Sequence, residues 1–286
     1  MPDKKTTPLL LVLMQCCLLT ACQVTETKQA LRVLPAAACT ADYFSLLAGK
    51  RCVLTANHTS MIGPVRLIDS LCHAGIVVKK IFSPEHGFGG VVSDGEEVQN
   101  TTDAATGIPV VSLYGTKKNP SPEDMRDVDL VVFDIQDVGV RCFTYISTLH
   151  YIMKACAENR VPLLVLDRPN PNGFYTDGPV LDTAFRSFVG MHPVPLVYGL
   201  TIGELALMIN GEGWLGAGLH CDLTVIPCRN YTHGSRYRLP VNPSPNLQTM
   251  EAIYLYPSVA LFEGTIMNVG RGTPFAYRVF GHPAYP

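Results

Sequence analysis

The segment Ser83-Pro84-Glu85-His86-Gly87-Phe88 sets one carboxyl between a proline and a histidine, directly after an apolar run. Phe82 and Phe88 can strip water from Glu85, and desolvation favours the protonated form that a general acid needs. Glu85 reads equally as a loop residue capping a following helix, and His86 could polarise the same site or pack beside it. Asp134 and Asp137 close another apolar run, in Phe133-Asp134-Ile135-Gln136-Asp137, where acids bind hydroxyl groups or cap helices. Arg141, Arg168 and Arg271 are candidates for a ligand carboxylate, because a guanidinium fork matches it in bidentate fashion. An internal ion pair with Asp134, Asp137 or Asp167 is the competing reading. Asn57 and His58 open a third polar stretch, and Asn170 and Asn172 lie in a fourth, Asp167-Arg168-Pro169-Asn170-Pro171-Asn172-Gly173. Tyr145 and Tyr114 could stack a sugar ring or belong to the core. Glu263, in Leu261-Phe262-Glu263-Gly264-Thr265, is expected as a second strand-end carboxylate.

The elements that must position these residues alternate along the chain. Strands are expected over residues 51–56, 79–83, 109–114, 128–135, 161–167 and 222–226. Unbroken apolar runs such as Leu130-Val131-Val132-Phe133 and Leu163-Leu164-Val165-Leu166 suit a parallel sheet covered on both faces. Helical patterns fall between them, over 65–73, from about 147 onward, and over 201–210, where Thr201 and Glu204 fit a capping box. This alternation predicts an α/β fold, a Rossmann-like, open, mostly parallel sheet with helices on both faces. Such sheets bind ligands outside the carboxyl ends of their strands. All four polar stretches follow expected strands, a composition suited to a polar ligand.

Several function classes are excluded. Gly211, Gly213 and Gly216 spell GxGxxG, but they follow a helix and not a strand, so they read as a helix-terminal glycine cluster. No GxxxxGK[ST] or GxSxG occurs. With 22 basic and 24 acidic side chains and no basic run, nucleic acid is not an expected partner. No CxxC or HExxH supports a zinc site, and no metal or cofactor is expected.

The N-terminus reads as an export signal. Lys4 and Lys5 precede the apolar stretch 9–19, which is too short to span a bilayer. Leu19-Thr20-Ala21-Cys22 resembles the bacterial lipoprotein lipobox. The expectation is a signal peptide over 1–21, acylation at Cys22, a tether over 22–45, and a membrane-anchored, periplasm-facing protein. Cys39, Cys52, Cys72, Cys142, Cys156, Cys221 and Cys228 then read as small buried hydrophobes, with Cys221 and Cys228 the pair to test for a bridge.

Taken in order, the chain resembles one family from about residue 50 to its end. The resembling stretches are Asn57-His58-Thr59, Phe82-Ser83-Pro84-Glu85-His86-Gly87-Phe88, Ser112-Leu113-Tyr114-Gly115 and Val131 to Gly139. Then come Thr144-Tyr145-Ile146-Ser147-Thr148, Leu166 to Gly173, Gly178-Pro179-Val180-Leu181-Asp182 and Thr201-Ile202-Gly203-Glu204-Leu205-Ala206. Pro243-Ser244-Pro245-Asn246-Leu247, Phe262-Glu263-Gly264-Thr265 and Gly270-Arg271-Gly272-Thr273 complete the set. Together they resemble the NamZ-type exo-β-N-acetylmuramidases. The resemblance implies a Rossmann-like catalytic domain, over 46–238, followed by a smaller auxiliary domain that begins at 239 and is incomplete at residue 286. It implies release of terminal N-acetylmuramic acid from the non-reducing end of peptidoglycan fragments, with muropeptides or N-acetylmuramyl-N-acetylglucosamine saccharides as ligands. The family's catalytic carboxylate falls on Glu85, and the polar strand-end loops become the sugar cleft. Gly89 stands where family members often carry Arg. Glycoside cleavage usually needs a proton donor and a second carboxylate or equivalent. Asp134, Asp137, Glu263 or a substrate group could be the second. The alternative is a lipoprotein that binds muropeptides without cleaving them.

Overall fold

A computed structural model describes residues 31–93 and 95–285. Cys22 and the signal segment lie outside the described residues. The chain divides into two compact units, 1–32 and 33–286, and the second carries all that follows.

Among the described residues, five α-helices and nine strands position the site. The helices are α1 (Phe44–Leu47), α2 (Leu67–His73), α3 (Tyr145–Asn159), α4 (Ile202–Gly211) and α5 (Met250–Val259). The strands are β1 (Arg51–Ala56), β2 (Met61–Ile62), β3 (Val65–Arg66), β4 (Val77–Ser83), β5 (Thr101–Thr102), β6 (Pro109–Ser112), β7 (Leu130–Asp134), β8 (Leu163–Leu166) and β9 (Leu223–Ile226). Seven of them form one sheet in the order β5-β6-β4-β1-β7-β8-β9. Neighbours in it are parallel, except that β5 runs antiparallel to β6 at the edge. β2 and β3 form a separate antiparallel hairpin.

The apolar runs are continuous because both faces of the sheet are covered. Along β7, Val131 and Phe133 enter one apolar cluster while Leu130 and Val132 enter the other, and Leu163, Val165 and Leu164, Leu166 divide likewise along β8. That period of two is the pleat. α3, α4 and α5 supply side chains to the first cluster, and α1 and α2 to the second. The expected α/β architecture is therefore present. From residue 239 onward, Leu247, Ile253, Tyr256, Val269 and Tyr277 are buried in the same cluster as the first face of the sheet.

Three local expectations are corrected. Residues 65–73 are not one helix: Val65 and Arg66 pair with Ile62 and Met61 as the hairpin, and the helix starts at Leu67. Glu263 does not end a strand. Ala260–Gly264 is a 3-10 extension of α5, so the apolar run before Glu263 continues a helix. Short apolar runs of this kind are ambiguous by periodicity alone. Cys72 is exposed, whereas Leu67, Ile68 and Leu71 of the same helix are buried. Cys39, Cys52, Cys156 and Cys221 are buried, and Cys221 and Cys228 are both free thiols.

Candidate active site

The strand order reverses at β1, whose neighbours are β4 and β7. Carboxyl ends of parallel strands meet there, and the crevice is where ligands of such sheets usually lie. Here the chain itself fills it. Asn57 Oδ1 accepts from the Thr59 amide (2.9 Å) and the Thr59 hydroxyl (2.6 Å), while Thr59 Oγ1 accepts from the Gln136 amide (3.0 Å). Ser60 Oγ donates to the Asp134 carbonyl. The open site lies instead beside the end of β4.

Immediately after β4 the chain reverses. The Gly87 amide donates to the Pro84 carbonyl (3.0 Å), and His86 takes a left-handed backbone at φ 71°. That conformation is uncommon for a side chain larger than glycine and needs external support. Support comes from the Val92 amide on the His86 carbonyl (3.2 Å) and from His86 Nδ1 facing the Val92 carbonyl (2.8 Å). A carbonyl only accepts, so Nδ1 carries the proton.

Glu85, at the head of this reversal, is held by both oxygens. Thr144 Oγ1 donates to Oε2 (2.6 Å) and the Gly95 amide to Oε1 (3.2 Å). Glu85, His86 and Tyr145 line a cavity of about 420 Å³ together with Glu263 and Tyr277 from the C-terminal part of the chain. The volume falls in the range of small-molecule sites. Glu263 accepts from the Tyr277 hydroxyl (3.0 Å) and pairs with Arg271 (3.5 Å). Tyr145 donates to the Pro243 carbonyl (3.1 Å) and meets Phe143 edge-on, so its ring forms part of a rigid aromatic wall. Two carboxylates and several aromatic rings on one cavity suit a polar ring with apolar faces.

The other sequence candidates are placed elsewhere. Arg168 and Asp134 hold each other, with Nε to Oδ1 at 2.6 Å and Nη2 to Oδ2 at 2.8 Å, and are 3% and 0% exposed. The internal ion pair, open in the sequence, is the arrangement found. Asp137 is buried and accepts from the Gly139 amide (2.6 Å) and the Tyr198 hydroxyl. Burial pushes its pKa up to about 6, against the pull of those hydrogen bonds. Asn170 donates to the Leu200 carbonyl (2.8 Å) and accepts from the Asn172 amide (2.8 Å), and Asn172 donates to the Val138 carbonyl (2.9 Å). Gly139, at φ 76°, is packed so closely on Asn170 that a Cβ would stand 2.3 Å from its amide. Both asparagines are thus structural clamps between the β7 and β8 loops. Arg141 spends Nη1 on the Pro179 (2.8 Å) and Val194 (2.6 Å) carbonyls.

Asn57 and His58 line a second cavity of about 770 Å³, walled largely by Leu54, Met61, Ile68, Phe88 and Val98. His58 donates from Nε2 to the Asn242 carbonyl (2.7 Å), and burial lowers its pKa, which keeps the ring neutral. A Cβ on Gly90, at φ 68°, would lie 1.9 Å from His58 Nδ1, so the ring is capped by backbone. His86 borders both cavities. Among the described residues no cluster of three or more His, Cys, Asp or Glu side chains is placed to hold a metal. Thr144 and Tyr277, which touch the two carboxylates, were not singled out by the sequence. A threonine before a helix reads as a cap, and a lone tyrosine carries no signal.

Comparison with known proteins identifies relatives of the chain. Residues 52–251 match the family model described as exo-beta-N-acetylmuramidase NamZ, N-terminal, and residues 254–286 match its C-terminal counterpart. The chain is 43% identical over 251 residues to a peptidoglycan beta-N-acetylmuramidase NamZ of Bacillus subtilis (strain 168), covering 85% of this chain and 59% of that relative. It thus spans less than two thirds of that relative's length. Two crystal structures of DUF1343 family proteins from Bacteroides fragilis NCTC 9343 share the fold. One is 50% identical with a TM-score of 0.81, covering 88% of this chain and 67% of its own. The other is 36% identical with a TM-score of 0.79, covering 87% and 65%.

Proposed function

This chain belongs to the exo-β-N-acetylmuramidase NamZ family, and from that premise we propose that it removes terminal N-acetylmuramic acid from the non-reducing end of peptidoglycan fragments. The observation that carries the reading is the convergence of Glu85 and Glu263 on one 420 Å³ cavity. Glu85 donates a proton to the leaving glycosidic oxygen. Glu263, kept in place by Tyr277 and Arg271, faces the positive charge that develops on the sugar ring. Asp134 and Asp137 are engaged inside the protein and do not line this cavity, which leaves Glu263 as the acid available for the second role.

The test is to offer purified protein an aryl β-glycoside of N-acetylmuramic acid and its N-acetylglucosamine counterpart. Cleavage of the first alone is expected. Tight binding of muropeptides without turnover would replace this reading by that of a binding protein.

Lipid attachment at Cys22 belongs to the same proposal, resting on Leu19-Thr20-Ala21-Cys22 after a short apolar run. It would hold the enzyme at a membrane, facing the periplasm and its peptidoglycan. Cys22→Ala should release a soluble or unprocessed species. If the variant keeps the wild-type mass and stays with carbonate-washed membranes, the anchor is elsewhere.

A further inference from the structure

We propose that Thr144 is a positioning residue for Glu85, and that α3 has given up its N-terminal side-chain cap to supply it. The inference rests on the reading of Glu85 as proton donor.

Among the described residues, three α-helices begin after a threonine. Thr201, with extended backbone (φ −73°, ψ 167°), accepts from the Glu204 amide of α4 (3.2 Å), and Glu204 returns the bond to the Thr201 amide. Thr249, also extended (φ −137°, ψ 153°), accepts from the Ala252 amide of α5 (3.1 Å). Both are ordinary caps, in which an extended backbone lets the side chain fold back onto the first turn. Thr144 differs. Its backbone is already helical (φ −70°, ψ −6°), and its side chain makes no capping bond to α3. The hydroxyl reaches instead to Glu85 Oε2, 59 residues back in sequence, at 2.6 Å. Thr144 is 8% exposed and lines the same cavity as Glu85.

The chemistry of a hydroxyl suits this post. It donates to a carboxylate and accepts from a carboxylic acid, so it can hold Glu85 before and after the proton leaves. A cation would favour only the ionised form. The second anchor, the Gly95 amide on Oε1, comes from the loop that follows Glu85 itself. With that bond alone the carboxyl group can turn about its last torsion. A second bond from a fifteen-residue helix packed on the sheet fixes its plane. Proton transfer is sensitive to that orientation.

The experiment uses the full chain with Thr144→Val and Thr144→Ser and a substrate with an unactivated sugar leaving group. Thr144→Val should lower kcat by about tenfold or more with KM little changed, because a misoriented donor weakens the chemical step and not ground-state binding. Thr144→Ser, which restores the hydroxyl, should return most of the rate. An unchanged kcat, a loss confined to KM, or no rescue by serine overturns the proposal. Denaturant melts of Thr144→Val, Glu85→Ala and the double variant form a cycle that needs no catalysis. Non-additive effects are expected, and strict additivity also overturns it. A wild type that turns over no N-acetylmuramic acid glycoside defeats the proton-donor reading and the catalytic role of Thr144 with it. The cycle alone then decides whether Thr144 holds Glu85.

Discussion

The ends of β7 and β8 and the end of β4 look alike in sequence and differ in the folded chain. Each carries acids after an apolar run, at the same edge of the sheet. At β7 and β8 every such acid is turned inward: Asp134 meets Arg168, Asp137 meets Tyr198 and Gly139, and Asp167 meets the Gly203 (2.8 Å) and Arg168 (2.9 Å) amides. At β4 a left-handed His86 reverses the chain and leaves Glu85 on a cavity, held by a hydroxyl and one amide. The difference lies in the supply of partners. Two adjoining loops with complementary groups close on each other. The β4 loop finds only neutral donors, and its carboxylate stays available to a ligand.

The largest expected effect tests the open side. Glu85→Gln keeps the shape and removes the transferable proton. Turnover of a substrate with a poor leaving group should fall about 10²- to 10⁴-fold, the usual contribution of proton donation. An activated aryl glycoside, which needs little protonation, should lose less. Equal losses on both would mean that Glu85 acts as nucleophile or binder, and no loss on either removes it from the mechanism.

The closed side should respond in stability. Arg168→Met leaves the Asp134 charge buried and unpaired, and removing one partner of such a pair costs about 3–5 kcal/mol. Adding Asp134→Leu should recover part of that loss, since apolar pairs of similar volume are tolerated. Denaturant melts decide. A double variant less stable than Arg168→Met alone would show that Asp134 has a role beyond this pair.

A smaller effect is readable in pH. Burial holds Asp137 at about 6 in the folded chain against an ordinary 3.8. Its folded pKa is raised, so its contribution is full below about pH 4 and is lost as pH rises through about 6, on the order of 3 kcal/mol. His150 and His192, joined Nδ1 to Nε2 at 3.1 Å, act in the opposite sense. Burial lowers them to about 4 and about 3, so their contribution is present above 6.5 and lost on acidification. Asp137→Asn removes one side of this balance. Between about pH 7 and pH 4.5 the Tm of the variant should fall relative to wild type by a few degrees. Parallel Tm curves would mean that Asp137 does not titrate in this window.

What the sequence showed follows the same division. The sheet was legible because Leu130 to Phe133 and Leu163 to Leu166 are unbroken apolar runs that recur between helical patterns, as the doubly covered strands of a parallel sheet do. The Glu85 loop was legible because its chemistry is local. Partnership was not. Asp134 and Arg168 lie 34 positions apart, and nothing in either stretch distinguishes a ligand contact from an internal pair. Arg141 looked like an anion site, yet backbone carbonyls, which have no sequence identity, took it up. Glu263 lines the same cavity as Glu85 but comes from a different element than expected, because a short apolar run fits a strand and a helix end alike.

The smallest effect compares the capped helices with the uncapped one. Thr249→Ala deletes the acceptor for the Ala252 amide of α5 and should cost about 1 kcal/mol, the common value of a threonine cap. Thr201→Ala should cost a similar amount, since it deletes the hydroxyl half of the capping box and leaves the Glu204 carboxylate on the backbone amide of residue 201. Thr144→Ala removes no cap from α3. What it removes is the bond to Glu85 and a small buried methyl group. Its effect on stability should therefore depend on whether Glu85 is present, while the other two should be indifferent to it. Melting each alanine variant with Glu85 intact and again together with Glu85→Ala isolates this dependence from the cost of the deletion. If Thr249→Ala and Thr144→Ala respond alike to the loss of the Glu85 side chain, the two kinds of helix start are energetically equivalent. The contrast between the closed and open ends of the sheet would then not extend to α3.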